Sequence, residues 1–402
     1  MRYRTMPKNG DELSVLGFGC MRLPLLEGGD IHVDKAIEQI RYAIDSGVNY
    51  LDTAWPYHGG ASESILGRAL QNGYREKVKI ATKLPTWLIN SREDMDSYLD
   101  KQLVKLQTDR IDYYLLHALN GLTWDKLDQL GVAEFLDTAI KDGRIINAGF
   151  SFHGTLDDFK RIVDGYPWVF CQIQYNYLDQ QYQAGTEGLN YAAERNLGII
   201  VMEPLRGGNL GLPEPPPAIG TIWDQAETRR TPVEWALRWI WNRPEVGVVL
   251  SGMNEDAHID ENLRIADQAL PGSLTQQECE LVEQAAATYK ELMKVDCTGC
   301  GYCLPCPEGV MIPAIFEVYN KMHLFGNKEE AKFIYAIRMC GVISGNKQGF
   351  ASECVECGDC LEKCPQSIPI PDILADVVEE LEGPGMEDRI AFANKMFKED
   401  QR

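Results

Sequence analysis

Two runs of cysteine stand out as chemistry. Cys297, Cys300, Cys303 and Cys306 follow one another at x2 spacing and are closed by Pro307. Cys354, Cys357, Cys360 and Cys364 repeat the run at x2, x2 and x3 spacing, closed by Pro365. The second run matches the bacterial [4Fe–4S] pattern at every position, and the first is one residue short before its fourth cysteine. A loop with a thiolate at every third residue can wrap one face of a cubane, and proline fixes the chain as it leaves. In paired runs the fourth cysteine crosses over. Cys297, Cys300, Cys303 and Cys364 are therefore expected to hold one cluster, and Cys354, Cys357, Cys360 and Cys306 the other. Zinc is the competing reading of paired C-x2-C. A third cysteine at the same spacing in both runs, with a Cys-Pro end each time, argues for iron and sulfur. The four scattered cysteines, Cys20, Cys171, Cys279 and Cys340, read as small buried apolar residues.

A second set lies far upstream: Asp52, Tyr57, Lys83 and His117. A tyrosine hydroxyl is a poor acid at neutral pH, with a pKa of about 10. A neighbouring ammonium favours the phenolate and lowers that value. A carboxylate beside the lysine keeps it charged and placed, and a neutral histidine can hydrogen-bond a substrate oxygen. Together they make a proton-donating site for a carbonyl that receives a hydride. Singly, each has a bland reading: a structural ion pair, a rim aromatic, a core histidine.

These residues need elements to bring them together. Apolar runs at Leu13–Phe18, Val48–Leu51, Val78–Ala81, Ile111–Leu116, Ile145–Phe150, Val169–Ile173, Gly198–Met202 and Val246–Leu250 read as strands. Segments with helical spacing lie between them. Ala36, Ile37, Ile40, Ala43 and Ile44 share one face, as do Leu99, Leu103 and Leu106, and Phe135, Thr138 and Ala139. Gly47 and Gly143 stand where helix C-caps belong. Strand then helix, eight times, predicts an α/β fold of the (β/α)8 TIM-barrel type, with a doubly wound open sheet as the alternative. In a barrel, chemistry gathers where strands end. Those positions hold Asp52, Tyr57, His58, Lys83, His117, Ser151, His153, Gln172, Gln174, Asn176, Glu203, Arg206, Ser251 and Asn254. Asp52, Tyr57, Lys83 and His117 fall at three consecutive strand ends, which favours function over the bland readings.

The stretch Leu51-Asp52-Thr53-Ala54-Trp55-Pro56-Tyr57-His58-Gly59, with Ser62-Glu63 and Leu66-Gly67 after it, resembles the signature of the aldo-keto reductase family. The resemblance implies a (β/α)8 barrel with NADPH or NADH across its mouth. It implies Tyr57 as general acid, Asp52 and Lys83 tuning it, and His117 orienting the carbonyl. Gly149-Phe150-Ser151-Phe152-His153 is similar to the segment that holds the nicotinamide carboxamide, so Ser151 carries over, and so does Gln172. Met202 occupies the position where many members stack an aromatic on the nicotinamide. Pro204-Leu205-Arg206-Gly207-Gly208 resembles the loop near the pyrophosphate, implying contacts from Pro204, Leu205 and Gly207. Ser251, Gly252 and Met253 at the last strand end complete the expected cofactor surface. Glu261 and Asn262 resemble the adenine-contacting pair, and His258 stands where a family arginine grips the 2′-phosphate.

The end of the chain resembles a two-cluster ferredoxin module opened by a helical insertion, roughly Ala314 to Ile343. Barrels of this family with such a module form a subgroup, and the match spans nearly the whole chain. The expected domains are residues 1–290 for the barrel and 291–402 for a mainly helical ferredoxin-like domain.

The combination sets a problem. A nicotinamide moves two electrons at once and a cluster moves one; a flavin usually converts between them. The first reading is an NAD(P)H-linked reductase of small carbonyls, or dehydrogenase of alcohols, whose clusters exchange electrons with an external carrier such as ferredoxin or flavodoxin. The alternatives are a ferredoxin-fed reductase with a flavin or other acceptor in the barrel, and clusters that are only structural or sensory. A net charge of −21 without a basic run argues against nucleic acid and anionic lipid as partners. No apolar stretch approaches the ~20 residues of a membrane span, and no charged-then-apolar leader opens the chain. A cytoplasmic protein is expected.

Overall fold

A computed structural model describes residues 1–27, 29–341 and 348–398, with side chains to residue 394. The described residues form ten strands: β1 (Tyr3–Thr5), β2 (Glu12–Ser14), β3 (Leu16–Gly19), β4 (Tyr50–Asp52), β5 (Lys79–Leu84), β6 (Ile111–Leu119), β7 (Ile145–Phe152), β8 (Phe170–Gln174), β9 (Gly198–Met202) and β10 (Val246–Ser251). β3 to β10 close into one parallel barrel in sequence order, with β10 paired to β3. The doubly wound alternative is excluded by that closure. β1 and β2 form a separate antiparallel hairpin, which absorbs Leu13 from the first expected strand.

The interior of the barrel is packed with side chains. Tyr50, Tyr113 and Phe170 meet edge to face, with ring centroids 5.3 and 4.9 Å apart. Met6, from the hairpin, enters against Gly198, where a Cβ would come 2.0 Å from its Cε. The helices coat the outside through most of the faces read from the sequence; in Val132–Lys141, Phe135 and Ala139 are buried with Leu136, whereas Thr138 is exposed. Val33–Asp45 buries Ala36, Ile40, Ala43 and Ile44, and Arg92–Leu106 buries Leu99 and Leu106. Gly47 and Gly143 each follow a helix with φ of 100° and 84°, the left-handed conformation that terminates a helix cheaply only without a Cβ.

Two compact units emerge: Met1–Leu205 with Thr231–Cys279, and Arg206–Arg230 with Glu280–Arg402. The expected boundary after residue 290 falls inside the helix Gln276–Leu292. The segment 206–230, expected as part of the barrel, groups instead with the C-terminal chain. The second unit has its own core, built on Ile315, Phe316, Tyr319, Tyr335, Met339, Leu374 and Val377. The expected single helical stretch is two helices, Ile312–Phe325 and Lys328–Met339. Gly326, at φ 70°, ends the first, and the Asn327 side chain accepts from Glu330 N to begin the second. Ile343 lies outside the described residues. No helix among those residues is long and apolar enough to cross a membrane.

Candidate functional site

β4 ends at Asp52, and the chain turns at once into a short 3-10 segment, Tyr57–Gly60. β5 carries Lys83, and β6 carries His117. Parallel register therefore delivers all four side chains to one end of the barrel. Lys83 Nζ lies 2.6 Å from Asp52 Oδ1, donates to the Thr53 carbonyl at 2.9 Å, and reaches the Tyr57 hydroxyl at 3.4 Å. The His117 ring stands edge-on to Tyr57, centroids 6.1 Å apart, with the half-exposed Trp87 ring 5.1 Å from it.

Burial sets the electrostatics. It pushes the Asp52 carboxyl above the usual carboxylate range and the Lys83 ammonium below the usual amine range. Their mutual attraction opposes both shifts, so the pair is best held as an ion pair. His117 is driven well below the ordinary histidine value by burial first, then by Lys83 and His153. It is neutral at pH 7 and can hydrogen-bond an oxygen without competing for the proton of Tyr57. His153 behaves alike, lowered by burial to about 4.

The signature following Tyr57 does mechanical work. Ser62 Oγ contacts Thr53 Oγ1 at 2.8 Å and donates to the Cys20 carbonyl at 3.0 Å, tying the ends of β3 and β4 together. Buried Glu63 accepts from Thr82 and Gln102, both at 2.7 Å. Gly67 lets the helix Ser62–Ala69 press on Arg92–Leu106: a Cβ there would stand 2.6 Å from the Lys105 carbonyl oxygen. His58 accepts from Leu23 N at 3.0 Å, which fixes the entry loop.

Ser151 and Gln172 stand at the same end of the barrel. Ser151 Oγ accepts from Ala118 N at 2.8 Å, and Gln172 Nε2 donates to Asp52 Oδ2 at 3.1 Å. Among the described residues Gln172 Oε1 is buried without a hydrogen-bond partner. A buried acceptor left unpaired is costly, and the amide N–H of a nicotinamide carboxamide fits it. Met202 is half-buried, Pro204 and Met253 are buried, and Leu205 is half-buried. The remaining expected contacts have protein partners. Asn262 Nδ2 donates to Ser251 Oγ at 2.7 Å, Glu261 accepts from Thr231 Oγ1 at 2.7 Å, and exposed His258 contacts Asn254 at 3.2 Å. A Cβ on Gly252 would meet the Arg22 side chain at 3.2 Å. Gly207 belongs to the second unit. Arg264, two turns beyond His258, is held by Glu234 at 3.3 Å through both terminal nitrogens.

In the second unit the eight motif cysteines form two groups. One cavity is walled by Cys297, Cys300, Cys303 and Cys364 with Ile312, Phe316 and Ile370. A second is walled by Cys306, Cys354, Cys357 and Cys360 with Val310, Pro371 and Leu374, and Cys303 stands at the wall that both share. Burial, then the neighbouring Cys300, Cys297 and Cys364 thiols, push Cys303 up to about 12. Apart from Cys303, which lines both, the cavities sort the thiols in the same sets as the expected crossed pairing. Four thiols around an apolar hollow, twice over, are a donor set that fits a thiolate-bound cluster. Sequence reasoning passed over Asn320. Its Oδ1 accepts from Lys294 N at 3.1 Å and Val295 N at 2.9 Å, and its Nδ2 donates to the Val295 carbonyl at 2.7 Å. It pins the chain entering the first motif. A single amide on the apolar face of Ile312–Phe325 was the available signal.

Residues 15–286 match the aldo/keto reductase family. The chain belongs to that family. Residues 296–368 match a 4Fe-4S dicluster domain. Among curated relatives, "Probable aldo-keto reductase 1" of Glycine max is 27% identical over 63% of this chain and 81% of its own length. "L-galactose dehydrogenase" of Arabidopsis thaliana is 26% identical over 72% and 95%. Among solved structures, the holo form of aldo-keto reductase AKR11C1 from Bacillus halodurans superposes with a TM-score of 0.60 at 25% identity, covering 71% of this chain and 96% of that one. This aldo/keto reductase is an oxidoreductase with a C-terminal 4Fe-4S domain.

Proposed function

We propose that the protein is an NAD(P)H-linked reductase of small carbonyl compounds, or dehydrogenase of the matching alcohols, with two [4Fe–4S] clusters that exchange electrons with an external one-electron carrier. The observation that supports it best is the continuous chain Asp52–Lys83–Tyr57 beside a neutral His117. NAD(P)H, when bound, supplies the hydride; the chain supplies the rest. His117 hydrogen-bonds the carbonyl oxygen, and Tyr57 passes its hydroxyl proton to that oxygen. Lys83, held by Asp52, stabilises the phenolate left behind. Trp87, exposed beside His117, offers an apolar wall for the substrate. Gln172 Oε1 and Ser151 orient the carboxamide. With His258 exposed and Arg264 paired to Glu234, no guanidinium is dedicated to a 2′-phosphate among these residues, so discrimination between NADPH and NADH is weak.

Cys297, Cys300, Cys303 and Cys364 would hold one cluster, and Cys306, Cys354, Cys357 and Cys360 the other, supplying one-electron chemistry. Ferredoxin and flavodoxin are carriers of the required kind. The test is Tyr57→Phe, assayed for NADPH-dependent reduction of a carbonyl panel under anaerobic conditions. Loss of a general acid predicts a fall of about 10²–10⁴-fold, with the visible cluster spectrum unchanged. Full activity in Tyr57→Phe would sink the assignment.

A further inference from the structure

The second cysteine group carries a surface that a closed redox centre does not need. Cys357 is the one exposed motif cysteine among the described residues. Large apolar side chains next to the motif cysteines are exposed with it. Val355, which follows Cys354, is 61% exposed; Leu304, after Cys303, and Leu361, after Cys360, are each 44% exposed. Valine and leucine are among the residues most often buried, and exposed apolar groups gathered at one place mark a contact surface. The fold gathers them. Val355, Cys357 and Asp359 line the same cavity as Pro305 and Glu308, which stand on either side of Cys306. All of these residues belong to the second unit. Beside Cys297 and Cys300 of the first group, no large apolar side chain is exposed among the described residues.

Acidic side chains are interspersed with the apolar ones. Glu308, Glu353, Glu356, Asp359 and Glu362 are exposed, and Lys363 is the only base interleaved with the second cysteine run. No ion pair holds any of these five carboxylates among the described residues. Uncompensated charge of one sign steers a partner of the other sign, and it does so through the rate of encounter. Apolar contact combined with complementary charge is the make-up of a protein–protein interface, and redox encounters use the smallest of these.

We propose that the surface around Cys357, formed by Leu304, Val355 and Leu361 with the five carboxylates, is the docking site of a basic one-electron carrier protein. The proposal rests on the cluster reading above and adds to it the port and the charge of the external carrier. One electron passes between the group held by Cys306, Cys354, Cys357 and Cys360 and the redox centre of the carrier, with no bond made or broken and no proton moved. The carboxylates draw the carrier in, and the apolar side chains set the close approach.

The probe is cytochrome c, a basic carrier protein, mixed with the full chain under anaerobic conditions. Iron and sulfide content of the wild type checks the cluster reading first. With both proteins oxidised no electron moves, and titration calorimetry reads docking alone. At an ionic strength of about 0.1 M the screening length is about 10 Å, so local charge dominates. Glu356→Lys with Asp359→Lys should weaken binding about tenfold or more. Val355→Ser should weaken it at high salt as well as at low. Glu134→Lys with Asp128→Lys, exposed acids of the first unit, makes the same change in net charge outside this surface and should leave binding unchanged. Stopped-flow mixing of the dithionite-reduced chain with ferric cytochrome c should rank the variants alike, with rates falling as salt rises. Ferricyanide, an anion, should react faster as salt rises and faster with Glu356→Lys and Asp359→Lys in place. Binding unchanged in that double variant, or weakened equally by the control pair, overturns the proposal, and so does a loaded wild type that does not bind cytochrome c. If the double variant does not retain iron, Glu308→Lys with Glu362→Lys decides on the same terms. A wild type without iron and sulfide refutes the cluster reading and the port together; a loaded chain whose binding ignores these charges refutes only the port.

Discussion

Asp52→Asn tests the ion pair on which the proposed proton-donating site depends. The Lys83 and Asp52 side chains are 1% and 3% exposed. Without the negative charge, the ammonium is left among neutral acceptors, among them the Thr53 carbonyl at 2.9 Å and the Tyr57 hydroxyl at 3.4 Å. Removing one partner of a buried pair costs about 3–5 kcal/mol. A domain of this size loses about 2–4 °C in Tm per kcal/mol, so the midpoint should fall by roughly 6–20 °C. Tryptophan fluorescence is the readout: of the 8 tryptophans, only Trp223 lies in the second unit. The defect should also depend on pH. Burial lowers the Lys83 pKa, and the variant lacks the Asp52 attraction that opposes this. Such a group destabilises the fold below its folded pKa. The penalty shrinks as pH rises towards the unfolded lysine value of about 10.4. Replacing both residues by apolar ones, Asp52→Leu with Lys83→Met, should recover most of the loss. A fall of under about 2 °C at pH 7, or a defect that does not shrink in alkali, would refute the buried pair.

Three further outcomes follow from particular contacts. His153 titrates near 4 in the folded chain and near its ordinary 6.5 when unfolded. The unfolded state therefore binds protons first, and stability should fall as pH drops from 6.5, by roughly 2 kcal/mol at pH 5. Urea unfolding should show a flatter profile in His153→Gln. Cys364→Ser should disturb the same paramagnetic signal as Cys300→Ser, and Cys306→Ser the same one as Cys357→Ser; the reverse pairing would undo the crossed grouping. Asn320→Ala frees two backbone N–H groups and a carbonyl at the entry to the first motif, at about 1–3 kcal/mol for each group left unsatisfied. Iron content per chain should drop, and wild-type iron content and stability would show that the pin is dispensable.

Legibility in the sequence followed the range of the interaction. The eight barrel strands were readable because a buried parallel strand is a short apolar run, and β6 and β7 exceed their readings only at the mouth ends, by Leu119 and Phe152. Cys297 to Cys306 and Cys354 to Cys364 were readable as candidate ligands because motif spacing is local. The break at Gly326 was not, because apolar spacing runs on through both flanking helices. Asn262 was legible as a polar residue at a promising place, yet its amide nitrogen binds Ser251. Partners of that kind are chosen by packing, and no spacing rule reports them.

The amino-acid sequence by itself determined the barrel, the two cysteine runs and the four candidate catalytic residue types, since periodicity, spacing and strand-end position are properties of the chain. Tertiary structure alone decided three things. It buried Lys83 against Asp52, which turns a nominal charge pair into one whose balance rests on desolvation. It grouped Cys303 with Cys364 across a 61-residue separation, and it set Arg206 against Asp296, 90 residues away. Such contacts depend on how remote segments meet after apolar surface has been removed from water, and no local pattern encodes that meeting.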